Sequence, residues 1–334
     1  MKTFASIIGL AAALATGCAI VGAAHAQTVL KASHQFPGGK GDPRDEMVQI
    51  IAKEVAAANV GLEIQVYPGA SLYKPNDQWN AMARGLLAMS SFPLDYASGR
   101  HPIFSATLMP GLVGSLDRAE RLNDSAFMEE IKKVIDEAGV VVIADAWLSG
   151  AFASTKGCIT SPETVKGQVI RAAGPAFEEM LAGAGASITS MPSSEIYTAM
   201  QTGVLDATNT SSASFVSYRL YEQVKCLTAP GENALWFMYE PILMSKQVYE
   251  GLSEEQRQAI DAGAKKAEAY FSEEIKKGDQ IMVDTFKKAG VEVVEMSEAD
   301  YDAWLAIAKQ SSYKNFAEKV EGGAELIEKA LAVE

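Results

Sequence analysis

Histidine and cysteine are scarce in this 334-residue chain, three of each. Beyond the first 26 residues only His34 and His101 remain, too few for a histidine-rich zinc site, and no Cys-x-x-Cys pair occurs. A Gly-x-Ser-x-Gly elbow and a Walker-type loop are both missing. Gly183-x-Gly185 has Ile188 where a dinucleotide fingerprint needs its third glycine, and it follows a helical stretch rather than a strand. Basic residues are in deficit, 29 Lys and Arg against 42 Asp and Glu, for a formal net charge of −13. That balance argues against nucleic acid and anionic membrane surfaces as partners. It also gives an anionic small molecule no long-range attraction, so one local cation would have to hold it. The apolar run Ile7 to Val21 is short for a membrane span and is broken by Thr16, Gly17 and Cys18.

What is present begins with an address. Met1-Lys2 is a short positive start, and Ala24-His25-Ala26 has the small-x-small form of a cleavage site. Cleavage is expected after Ala26, leaving 1–26 as a signal peptide and the mature chain in the periplasm. A lipoprotein reading at Cys18 matches poorly, because Ala15-Thr16-Gly17 precedes it. Export leaves Cys158 and Cys226, which an oxidising compartment would join; two buried free thiols are the alternative. Hydrophobic residues make up 48% and charged ones 21%, the composition of a globular chain. Roughly 300 residues suffice for two α/β lobes, each with its own core.

The stretch Ser161 to Tyr221 organises the rest. Gln168 to Arg171 reads as a strand ending on a cation, and Pro175 opens a helix carrying Phe177, Met180 and Leu181. Ala186 to Ser190 is a second strand, and Ser193-Ser194-Glu195 opens a helix closing at Gly203. Val204 to Ala207 is read as a third strand, with the polar run Thr208 to Ser212 at its far end. This β-α-β-α-β pattern calls for a parallel sheet, whose ligands sit beyond the carboxyl ends of the strands. Arg171 and the polar run both fall there. A guanidinium presents a planar fork that matches a carboxylate in two hydrogen bonds.

The N-terminal part repeats the alternation: strand Thr28 to Ser33, helix Arg44 to Ala58, strand Gly61 to Tyr67, helix Asn76 to Gly85, strand Leu86 to Met89. Loops 34–39 and 90–93 should rim a cleft, with His34, Phe36, Ser91 and Phe92 as candidates to face a ligand. Asp117 to Ala138 reads as one helix. Val140 to Trp147 reads as a strand crossing to the second lobe, and Ala234 to Met244 as the return. Two crossings make 149–235 an insertion in a first lobe formed by 27–148 and 236–334. Ser253 to Gly290 is helical almost throughout, opened by the capping box Ser253-x-x-Gln256, and long enough to span both lobes. Val291 to Val294 and two helices complete the chain.

Two runs then carry a resemblance: Pro162-Glu163-x-x-Lys166-Gly167-x-x-Ile170-Arg171, and Met191-Pro192-x-Ser194-Glu195-x-Tyr197-x-Ala199-Met200-Gln201-Thr202-Gly203-Val204-x-Asp206. They closely resemble the periplasmic solute-binding proteins of TRAP transporters, the C4-dicarboxylate-type family, and the likeness extends from about Val29 to near Gly290. It implies a type II periplasmic binding-protein fold, two hinged lobes closing on an organic acid anion, and delivery to a TRAP permease. No cofactor, metal or catalysis is implied. The family makes the arginine matching Arg171 the principal carboxylate ligand. Family members often have asparagine where Thr210 stands, so Asn209 and Thr210 are both candidates. Many also carry a second arginine near Ala151-Phe152, and none is here, which favours a monocarboxylate. Ser193 replaces a frequent phenylalanine, leaving room for a larger ligand. With Trp147, Phe152, Trp236 and Tyr239 expected near the cleft, an aromatic or apolar acid becomes a reading, against ordinary core packing. The alternatives are a periplasmic small-molecule hydrolase and a receptor feeding a signalling membrane protein.

Overall fold

A computed structural model describes residues 27–334; the expected signal peptide, 1–26, lies outside the described residues. In chain order the strands are β1 (Thr28–Ser33), β2 (Leu62–Tyr67), β3 (Met89–Ser91), β4 (Val140–Ala144), β5 (Trp147–Ser154), β6 (Val169–Ala172), β7 (Ser187–Ser190), β8 (Ala207–Ser211), β9 (Cys226–Ala229), β10 (Phe237–Tyr239), β11 (Ile242–Ser245) and β12 (Glu292–Glu295). They form two sheets, one per lobe. The first has the order β2-β1-β3-β11-β4; the second runs β12-β9-β5-β8-β6-β7, with β10 paired to the start of β5. This is the two-lobed α/β arrangement of a type II binding protein.

The crossings differ from single long strands. The chain breaks at Asp145-Ala146, so β4 belongs to the first sheet and β5 to the second. On the return it breaks at Glu240-Pro241, between β10 and β11. Pro241 has no N–H to donate to a ladder, which suits a point where the strand changes sheets. The second sheet also takes β12 from outside the 149–235 stretch, in parallel with β9.

β6, β7 and β8 are parallel. The third of these starts later than its hydrophobicity suggests. Val204 is 53% exposed, and the strand is Ala207-Thr208-Asn209-Thr210-Ser211, all buried between β5 and β6. The β5 ladder runs along the whole strand, β6 adds to it at Ala207 and Thr208, and Arg171 takes Asn209 O, so a polar segment can occupy the middle of a sheet. The nominal strand Leu86 to Met89 likewise moves to β3, later in the chain.

The expected helix 117–138 is two, Leu116–Leu122 and Ala126–Glu137, the second capped by Ser125. The long helix is Glu254–Ile275 with the Ser253/Gln256 box formed, continued after a break by Gly278–Lys288. It lies against helix Pro43–Ala58 at close range. A Cβ at Gly263 would stand 3.1 Å from Ile51 Cα, so the glycine permits the approach. Helix Glu298–Ala308 covers the second lobe, where Trp304 stacks on Phe152 with centroids 5.5 Å apart. Cys158 and Cys226 form a disulfide, Cα atoms 5.0 Å apart, tying the loop after β5 to the start of β9.

Candidate functional site

Arg171, the penultimate residue of β6, is 1% exposed. Its Nε donates to Met191 O at 3.0 Å and Nη1 to Asn209 O at 2.8 Å, both in its own lobe. Nη2 donates across the cleft to Tyr96 Oη at 3.1 Å. A guanidinium has five N–H donors, so two remain uncommitted. No carboxylate is bonded to Arg171, unusual for a buried cation, which ordinarily has a counter-charge.

On the neighbouring strand, Asn209 is fully buried, yet neither Oδ1 nor Nδ2 has a partner among the described residues. Thr210 is also buried, and its side chain leaves the strand on the opposite face from Asn209, the face that Thr208 shares with its partner Arg171. On the Asn209 face, Trp236 packs over Gly150. A Cβ there would come within 2.5 Å of the indole and 2.2 Å of Thr210 O. Trp236 Nε1 is likewise buried and unpartnered.

The facing lobe contributes the same kind of atoms. His34, fully buried, follows β1; its Nδ1 has no partner, and its Nε2 stands 3.1 Å from Asp45 Oδ1 at a poor angle for a hydrogen bond. Ser91 Oγ, at the end of β3, is unpartnered. Asp95 lies in the 3₁₀ turn Leu94–Ala97 that follows. One carboxyl oxygen accepts from Ser98 Oγ at 2.9 Å; the other, Oδ2, is unpartnered and pressed against Gly174, where a Cβ would sit 1.4 Å away. Burial pushes the Asp95 carboxyl up to about 7. Ser98 opposes that, nearby Glu178 adds to it, and Arg171 opposes it. Buried polar atoms without protein partners are rare, and the usual reason is a ligand or ordered water.

Three contacts besides Tyr96–Arg171 close the cleft on this side. Ser193 N donates to Tyr96 Oη at 2.9 Å, Ser194 N to Gln35 Oε1 at 3.4 Å, and Tyr218 Oη to Gln35 O at 3.0 Å. So Ser193 acts here through its backbone. Phe92 packs between Trp79 and Tyr96.

A second guanidinium enters the cleft from the first lobe. Arg44, fully buried, sits in the first turn of helix Pro43–Ala58, and Asp42 both caps that helix and binds the side chain. Nε and Nη2 reach the Asp42 carboxylate at 2.9 and 2.8 Å, and Nη1 reaches Glu240 at 3.0 Å. Ser211 and Ser214 of the other lobe each accept at 3.1 Å. Phe36 lies beneath, its ring centroid 3.7 Å from Arg44 Cζ. Burial alone would raise Asp42, but the Arg44 charge outweighs it and holds the carboxyl below the ordinary value. At Glu240 burial wins, and the carboxyl is raised.

Three expected aromatics are committed elsewhere. Trp147 Nε1 donates to Asn123 Oδ1 at 2.7 Å and its ring lies 4.8 Å from that of Tyr239, whose hydroxyl is bonded to Asp145. Trp147 and Asp145 border a cavity of about 290 Å³ under the long helix. Phe152 is in the second lobe's core against Trp304. Tyr96, Gln35, Asp95, Arg44 and Glu240 were missed by sequence reasoning; only the Asp42-Pro43-Arg44 cap carried a local signal. Among the described residues, one His/Cys/Asp/Glu group is tight enough for a metal, Cys158, Cys226 and Glu292, and both sulfurs are spent in the disulfide.

The geometry is that of a hinged receptor for an anion. Residues 38–319 match the model of the bacterial extracellular solute-binding protein family 7, DctP, and the chain belongs to that family. It is 40% identical over 309 residues, 91% of each chain, to a solute-binding protein of Albidiferax ferrireducens. It superposes on the crystal structure of a TRAP periplasmic solute-binding protein of Rhodoferax ferrireducens with bound malonate. That match has a TM-score of 0.87 and 40% identity, covering 90% of this chain and 96% of the other. An extracytoplasmic solute receptor of Bordetella pertussis that binds pyroglutamic acid shares the fold at TM-score 0.81 and 22% identity, over 91% and 99%. The protein is thus a periplasmic solute-binding receptor of the TRAP type, a class that works with membrane permease subunits. It is not an enzyme, and the hydrolase reading has no support.

Proposed function

We propose that Arg171 holds the ligand's carboxylate with its two uncommitted N–H groups, and that the ligand is a small hydrophilic acid with one carboxylate. The observation that carries this is a buried guanidinium with no carboxylate bonded to it and two N–H groups uncommitted. Thr210, on the Arg171 face of β8, and Ser91 Oγ and His34 Nδ1 of the facing lobe supply further polar contacts, which suit hydroxyl or keto groups on the acid. Commitment of Trp147, Phe152 and Tyr239 to other partners favours a hydrophilic acid over an aromatic one. Arg44 is saturated by Asp42 and Glu240, which supports a single carboxylate in the ligand. Malonate, the dicarboxylate in the Rhodoferax structure, is therefore the informative competitor. The lobe boundaries we propose keep 149–235 as the insertion and add β12 to it.

A thermal-shift screen with malonate, succinate, pyroglutamate and D-glucuronate tests the class, since a ligand of the folded state raises apparent stability. Arg171→Ala should weaken the best binder by two to three powers of ten, equivalent to ~3–4 kcal/mol for two charge-assisted bonds. Unchanged affinity would remove Arg171 from the role.

A further inference from the structure

Count the charges inside the closed cleft. Among the described residues it holds two guanidinium groups, Arg44 and Arg171, and three buried carboxyls set against them, Asp42, Asp95 and Glu240; a fourth, Asp45, faces His34 at 3.1 Å. Arg44 is shared between Asp42 and Glu240. Only Arg171 lacks a bonded carboxylate, and its field acts on both Asp95 and Glu240. With the His34–Asp45 pair set aside and the other three carboxyls ionised, the cleft already has one anion more than it has cations. A bound acid anion would make the excess two, and an uncompensated buried charge is expensive enough that a group protonates instead.

Asp95 is the group placed to do so. It is 2% exposed, and Oδ2 has no donor. Facing it are Arg171 from the end of β6 and Glu178 from helix Pro175–Gly183. Its own turn carries Tyr96, and the adjoining 3₁₀ helix Pro102–Leu108 begins after His101. The nearby β10 brings Tyr239, already bonded to Asp145, and leads to Glu240. Arg171 is thus the one cation that favours ionised Asp95. A ligand carboxylate on Arg171 neutralises that influence.

We infer that the receptor takes up its acid anion together with one proton, held on the Asp95 carboxyl, so that the closed cleft receives the pair without net charge. This rests on Arg171 being the ligand's carboxylate partner. The proton comes from solvent, converting the Asp95 carboxylate to a carboxylic acid whose O–H becomes a donor inside the cleft. The raised titration of Asp95 in the closed cleft, about 7, points the same way. In the open protein, with Gly174 withdrawn, Asp95 keeps the ordinary carboxylate value, and below that pH binding exchanges no proton. Above it each ligand brings one proton, and Kd rises tenfold per pH unit at the limiting slope.

The test is calorimetric titration of the whole mature protein at pH 8 with malonate, pyroglutamate and D-glucuronate, each in two buffers of different ionisation enthalpy. The expected result is uptake of close to one proton per ligand, with Kd weakening as pH rises from 7 to 8.5. Asp95→Asn should abolish the uptake and flatten the profile. If that variant does not fold, Glu178→Gln removes a like charge and should make the uptake fade at a lower pH. Binding without proton exchange and with a flat pH profile overturns the inference but leaves the carboxylate role of Arg171 intact. Full uptake in a folded Asp95→Asn overturns the choice of residue. No binding by any of the three acids overturns the underlying reading, and the inference with it.

Discussion

Replace Arg44 by methionine. The side chain that goes is buried, bonded to two carboxylates and to two hydroxyls of the opposite lobe. Methionine fills much of the volume, so the loss is chiefly electrostatic. Asp42 and Glu240 stay behind at 1% and 3% exposure with no counter-charge. Breaking a buried pair from one side costs about 3–5 kcal/mol, and two stranded carboxylates place this variant at the upper end. Urea unfolding at pH 7 should show it. The pH dependence identifies the cause. In the native protein Arg44 holds Asp42 below its ordinary value, so the stability from that pair is present above the unfolded pKa and lost as acid brings the pH down through the folded one. In the variant both carboxylates can escape their penalty by protonating, so the gap between the two proteins should narrow from pH 7 to pH 5. Adding Asp42→Asn and Glu240→Gln should recover most of the loss, because a neutral cluster strands no charge. A variant within about 1 kcal/mol of native at pH 7, or a gap constant with pH, would refute the reasoning.

Other outcomes follow from single features. In the folded, closed form Asp95 titrates near 7 against 3.8 as a free carboxyl. A raised acid stabilises most below its unfolded pKa and loses that contribution as pH climbs to the folded one, so stability should fall between pH 4 and 7. Asp95→Asn should remove that slope and gain up to ~4 kcal/mol at pH 8, the figure for a three-unit shift, read from thermal melts across pH. Reduction of Cys158–Cys226 opens a loop of 68 residues and should cost about 4 kcal/mol, visible as a lower Tm with dithiothreitol and absent in the Cys158→Ser/Cys226→Ser protein.

How much of this was legible in sequence depends on whether a residue's partners are local. Arg171 could be found because strand, cation and turn are consecutive, and the boundary at Gly174-Pro175 marks the strand's end. The tandem strand–helix units showed for the same reason. β8 was displaced because burial of Thr208 to Ser211 depends on strands on both sides, one of them β5, more than fifty residues earlier. Hydrophobicity cannot report a polar strand whose ladder is satisfied by neighbours. Asp95 is an ordinary turn aspartate until Gly174 of the other lobe is packed against it. Trp147, Phe152 and Tyr239 show the opposite error. Proximity in sequence to the crossings suggested the cleft, while each ring found a partner outside it.

Tyr96 shows how closure and binding become one event. Its hydroxyl oxygen receives three donors: Arg171 Nη2 at 3.1 Å, Ser193 N at 2.9 Å and Gln35 Nε2 at 3.3 Å. Two of them come from the second lobe, while Tyr96 and Gln35 belong to the first. A phenol oxygen has two lone pairs, so one bond must be shared or weak, and the charge-assisted contact to Arg171 has the strongest claim. Arg171 is therefore oriented by its own lobe through Met191 O and Asn209 O, and held from the opposite lobe only when the cleft shuts. A carboxylate on Arg171 meets a fixed guanidinium in the closed state and a less constrained one in the open state. Binding energy is thereby coupled to closure. Tyr96→Phe keeps the ring against Phe92 and removes only the hydroxyl. It should weaken the ligand about tenfold, equivalent to ~1–1.5 kcal/mol for one such bond. Most of the change should fall in the dissociation rate, because the contact forms after encounter. Stopped-flow fluorescence separates the two rate constants. A slower association rate with unchanged dissociation would mean that Tyr96 shapes the open cleft and takes no part in holding it shut.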